Sequence, residues 1–147
     1  MVPHVGPDHL AHDLHYIQRL IRGFMKNFPF QIIRVGLGVT FLWIGLLIFK
    51  NPEAWGNFLE PWALALLPVP LKEAMIGTAL LDVVIGALLI ADSFVWIASA
   101  LAAMHLLIIL IVSGITEITS RDIGLLAAAL ALFFNYFPRR WLAKFRH

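Results

Sequence analysis

The sequence predicts an all-α integral membrane protein, a four-helix bundle with an N-terminal amphipathic interfacial helix. Three observations carry this reading. The 147-residue chain is 61% hydrophobic and 14% charged with a mean hydropathy of +0.85, too apolar for a soluble domain and too short for several large ones. Four apolar segments, each near the roughly 20 residues a helix needs to cross a bilayer, follow one another: Phe30 to Phe49, Leu71 to Ala91, Phe94 to Ile115 and Arg121 to Phe137. Asp82 and His105 each fall near the centre of such a segment, where a charge costs about 2.5 to 3.5 kcal/mol, so both are expected to face the bundle interior.

The parts follow in order. Residues 1–29 hold Leu10, Leu14, Ile17, Ile21, Phe24 and Phe28 at steps of three and four, with Arg19, Arg22 and Lys26 on other positions. That is the period of an amphipathic helix lying on the cytoplasmic membrane surface, its basic residues toward anionic headgroups; docking on a partner protein is the alternative. No short apolar core with a small-residue cleavage site precedes Phe30, so a cleavable secretory signal is not expected. His4, His9, His12 and His15 could face an ion two at a time, but solvated histidines are the preferred reading and no metal site is predicted.

Residues 30–138 form the four-span domain, and 139–147 a basic cytoplasmic tail. Between the first two spans, Pro52, Pro61, Pro68 and Pro70 alternate with Trp55, Phe58 and Trp62. Proline stops and boundary-seeking tryptophans predict a short interfacial helix, or a lid over an outward-facing pocket. Only Asp92 and Ser93 separate the second and third spans, which makes those helices antiparallel neighbours. Seven of the eleven Lys and Arg lie in the terminal parts. An even number of spans puts both termini on one side, and the excess of positive charge there places them in the cytoplasm of a cell-membrane protein. This placement also argues against nucleic acid as a partner. The chain has no cysteine, which removes disulfide exchange, thiolate catalysis and thiolate metal or iron–sulfur ligation.

The candidate site is built on the hairpin. Asp82 lies ten residues before Asp92 and His105 twelve after Ser93, so their depths differ by a few ångström at about 1.5 Å per residue. A carboxylate beside an imidazole in low dielectric makes a charge-assisted hydrogen bond or shares a proton, near-neutral chemistry suited to a reducible ligand; bridging two helices is the structural alternative. Thr78 and Gly86 share the Asp82 stripe. Arg34, four residues inside the first apolar run, is expected from its depth to snorkel to headgroups, with turning inward to a carboxylate the alternative. Arg121 and Asp122 open the fourth span, Asp122 suiting a helix N-terminus and Arg121 placed to pair with Glu117 or Glu73. Trp43, within the bilayer, and Trp96 are the candidate walls for a flat ligand, with core filling the preferred reading of Trp43. Gly36, Gly77, Gly86, Gly114 and Gly124 are expected to serve mostly as packing contacts.

These residues carry a resemblance. The run Arg34-Val-Gly-Leu-Gly-Val-Thr-Phe-Leu-Trp-Ile-Gly45, then Lys50-Asn-Pro, an acidic residue in a glycine-flanked second span, His105-Leu in the third and Arg121-Asp-Ile-Gly-Leu opening the fourth, resembles the DoxX family of small four-helix membrane proteins over roughly Arg34 to Pro138. The resemblance implies a four-helix bundle linked to redox biology, since members resemble the small membrane subunit of thiosulfate:quinone oxidoreductase and others associate with oxidative-stress enzymes. It carries over Arg34, Asp82, His105, Arg121 and Asp122, with Asp82 standing where relatives often have glutamate, one methylene longer.

The first functional expectation is therefore a redox-associated membrane subunit that binds a quinone-like ligand, with Asp82 and His105 as its proton contacts. Electrons would come from a protein partner, because no haem-pair or flavin fingerprint is evident. The alternatives are a non-catalytic assembly or scaffold subunit of a larger membrane complex, recruiting through the basic termini, and a small carrier built as a homo-oligomer.

Overall fold

In a computed structural model the backbone is described over residues 7–117 and 119–138. His4 and the basic tail at 139–147 lie outside the described residues, as do the side chains of Leu10, Leu14, Ile21, Phe24, His9, His12 and His15. The chain divides into two compact units, Met1–Ile32 and Ile33–His147. The described residues are helical with no strand.

Helix α1 spans Pro7–Lys50, 44 residues, with Pro29 inside it. No non-helical residue separates the stretch expected at the interface from the first apolar run. Proline lacks one donor, which costs the ladder a hydrogen bond without ending it here. In the first unit Tyr16, Ile17 and Phe28 are exposed apolar side chains.

The second unit starts from the rest of α1. Two short helices follow it, α2 (Pro52–Gly56) and α3 (Pro61–Ala65), where one was expected. Each opens on proline, whose missing N–H costs nothing at the first helical position. Asn51 caps α2, its side-chain oxygen accepting from Ala54 N at 3.3 Å. Helices α4 (Leu71–Ile90), α5 (Val95–Ser113) and α6 (Ser120–Tyr136) complete the unit. Three stretches are long and apolar enough to cross a membrane, Asn27–Lys50, Leu71–Ile90 and Val95–Ser113. At 17 residues α6 reaches about 25 Å against the roughly 30 Å of a hydrocarbon core, and its first turn is polar.

α5 lies against both α4 and α6. The α4–α5 turn is Ala91–Phe94, two residues longer than the sequence suggested, because α4 ends in a Schellman closure: Ser93 N donates to Leu88 O at 3.1 Å and Asp92 N to Leu89 O at 3.3 Å. Asp92 takes the left-handed conformation this closure needs, φ 56°. α1 meets α4 at backbone contact. A Cβ on Gly86 would come 2.6 Å from Leu42 N and 2.7 Å from Gly38 O, and one on Gly45 would come 2.8 Å from Ala79 O. Gly36, Gly77 and Gly124 instead face open space, so of the glycines singled out in the sequence only Gly86 makes a close helix contact, and Gly114 serves the chain by its φ of 65°.

Gly86→Ala is expected to lower stability by about 1 to 3 kcal/mol, since the added methyl meets backbone that cannot move aside. Gly77→Ala should hold or raise stability through helix propensity alone, about 1 kcal/mol. Denaturant melts of the two variants in the same detergent compare them directly.

Candidate functional site

α4 and α5 run antiparallel from a tight turn, so residues at similar distances from it share a level. This brings Asp82 and His105 together: His105 Nε2 lies 3.1 Å from Asp82 Oδ1. Both are buried, 2% and 8% exposed. The two atoms stand at hydrogen-bond distance without hydrogen-bond alignment, and among the described residues neither has another partner. An acid and an imidazole so placed can hold one proton between them, while each keeps unspent hydrogen-bonding capacity. Buried polar groups left in that state cost about 1 to 3 kcal/mol, so their occurrence at one point is informative.

The pair forms part of the wall of a cavity of about 750 Å³. That volume lies in the range of small-molecule sites, which are mostly apolar with a few convergent polar groups. Here Thr40, Phe41 and Ile44 come from α1, Thr78 and Asp82 from α4, His105 from α5, and Arg121 and Asp122 from α6. The segment carrying α2 and α3 supplies Trp55, Phe58 and Trp62. It is tied to α5 by Glu60 N donating to Val112 O at 2.8 Å. The turn into α6 is fixed by Thr119, buried, whose hydroxyl donates to Gly114 O and accepts from Thr116 N, both at 2.7 Å. That turn sets the start of α6, and so places Arg121 and Asp122 at the cavity. Arg121 pairs with neither Glu117 nor Glu73 among the described residues; its charge acts on the adjacent Asp122, which also feels Asp82 and His105.

Of the residues singled out in the sequence, Asp82, His105, Thr78, Arg121 and Asp122 line this one cavity, and Arg34, Trp43 and Trp96 do not. Arg34 is buried at the opposite end, where it finishes α4. Its Nη1 donates to Leu89 O and, at 3.2 Å, to Ile90 O, and its Nε lies 3.4 Å from Asp92 Oδ1. The guanidinium thus satisfies helix-terminal carbonyls and turns inward to a carboxylate instead of snorkelling. Trp43 is 64% exposed, because the face of α1 that reaches the cavity is that of Phe41 and Ile44. Trp96 packs edge-on against Phe137, ring centroids 6.0 Å apart, near the far end of α5. The aromatic walls are Trp55, Phe58 and Trp62, which the sequence marked as an interfacial stretch or a lid without assigning them to a ligand.

Arg34→Leu is expected to cost about 1 to 3 kcal/mol by removing the charge-assisted bonds to Leu89 O and Ile90 O and the ion pair with the half-exposed Asp92. Unfolding in detergent reads this cost, and a fully stable variant would show that the cap is dispensable. No family model, no curated protein and no solved structure matches this chain.

Proposed function

We propose that this chain is a redox-associated subunit of the cell membrane, a DoxX-like bundle of four spans with both termini cytoplasmic, that binds a flat, lipid-soluble, quinone-like ligand. On this reading α6 is the fourth span, its polar first turn lying at the interface, and the N-terminal part of α1 rests on the cytoplasmic surface. The observation that carries the proposal is the buried acid–imidazole pair, hydrogen bonds incomplete, in the wall of a 750 Å³ cavity that is otherwise largely apolar.

The chemistry follows from the side chains. A quinone oxygen within reach of His105 Nε2 accepts the hydrogen bond that this nitrogen does not align to Asp82 Oδ1 3.1 Å away, and the neighbouring Asp82 favours the imidazole tautomer that carries its hydrogen on Nε2. Trp55 and Trp62 offer flat surfaces against which a ring stacks, and a ring seated there displaces water from its own contact with the pair. Reduction of a quinone consumes electrons and protons together. Electrons come from a protein partner, and this chain contributes binding, orientation and the proton.

Protein purified in mild detergent is expected to yield a quinone on solvent extraction and mass spectrometry. A short-chain benzoquinone should quench the tryptophan emission, with Kd rising about tenfold in Asp82→Asn, roughly 1.4 kcal/mol, and unchanged in Trp43→Leu. A consistently empty cavity, or equal affinity in Asp82→Asn, overturns the reading.

A further inference from the structure

The two ends of the second unit differ in a way that bears on where protons enter. On the α2–α3 side of Asp82 and His105, exposure rises in steps: the pair is buried, Asp122 is half-buried and Arg121 is exposed, all lining the same cavity. On the other side the interior is closed. Ile85 and Leu89 of α4, Ala98 and Ala102 of α5 and Leu132 of α6 are 0% exposed. Ser99, also fully buried there, spends its hydroxyl on Val95 O at 2.6 Å within its own helix. Beyond this plug Arg34 is committed to the α4 carbonyls and Asp92.

We propose that the Asp82–His105 pair exchanges protons with water from one end of the molecule only, the end bearing α2, α3 and the 114–119 turn, with Asp122 as the relay. The charged and titratable groups lining the cavity around the pair support this assignment. α4 contributes Asp82 itself, α6 contributes Arg121 and Asp122, and the lining side chains of α1, α2 and α3 carry no ionisable group. Asp122 is within electrostatic reach of both members of the pair and of Arg121. A carboxylate at half depth takes a proton from water at the exposed Arg121 edge and passes it across the cavity, which has room for bridging water. The balance is a simple exchange: Asp122 loses one proton as the pair gains one, and water restores it. The inference rests on the reading of Asp82 and His105 as the proton-handling pair, and its test uses no ligand, so quinone binding and the relay stand or fall separately.

The experiment is a pH jump on the full-length protein in detergent, followed by time-resolved infrared difference spectroscopy; the signal of the pair is the part lost in Asp82→Asn. Asp122→Asn should slow protonation of the pair at least tenfold, Asp122→Glu should keep the rate within about twofold, and Asp92→Asn at the closed end should leave it unchanged. A wild-type rate in Asp122→Asn, equal slowing in Asp92→Asn, or a pair that does not titrate between roughly pH 4 and 10 would each overturn the proposal.

Discussion

An ionisable side chain in the middle of an apolar helix needs a partner at its own depth, and the second unit is arranged around meeting that need for Asp82. The contact with His105 at 3.1 Å fixes the rotation of two helices at once. With Asp82 turned inward, Ile85, Gly86 and Leu89 follow it into the interior, while Leu80 and Val84 face out. On α5 the same constraint buries Ala98, Ala102 and Leu106 with His105 and leaves Met104, Leu107 and Ile111 outside. Helices this uniformly apolar carry little rotational information of their own, since nearly any face could meet lipid. The polar pair supplies it.

Given that orientation, the remaining features close one end and leave space at the other. Gly38, Gly45 and Gly86 let α1 approach α4 to backbone contact, and the fully buried small and aliphatic side chains fill the Arg34 end. Toward the other end the helices are lined by longer, mostly apolar side chains that do not fill the space, and the prolines of the 50–70 segment prevent a single long helix from sealing it. Two short helices lie there instead, carrying the indole and phenyl rings that complete the cavity.

Much of this was legible in the sequence because depth is a matter of counting. The apolar runs gave the α4 and α5 boundaries to within two residues, and the short hairpin placed Asp82 and His105 at one level. Depth does not give helix phase, and the misplaced side chains are those that depended on it. Trp43 was expected to fill the core or wall a ligand because it sits inside an apolar run long enough to cross a membrane, yet it is exposed and its neighbours Phe41 and Ile44 hold the inward face. Depth favoured snorkelling for Arg34, and the inward choice was made by carbonyls contributed from a distant helix end, a tertiary fact. The glycines show the same limit: Gly77 and Gly86 flank Asp82 alike in sequence, and only one meets another backbone. At 17 residues α6 sits at the margin where length alone does not decide whether a helix spans.

The Arg34 cap has a consequence for how such a chain is made. Arg34 is charged and belongs to α1, but its acceptors, Leu89 O, Ile90 O and Asp92, are synthesised more than fifty residues later. During that interval α1 carries an uncompensated guanidinium. The α4–α5 hairpin has to be in place before that charge is met, which couples the folding of α1 to the turn that completes its electrostatics.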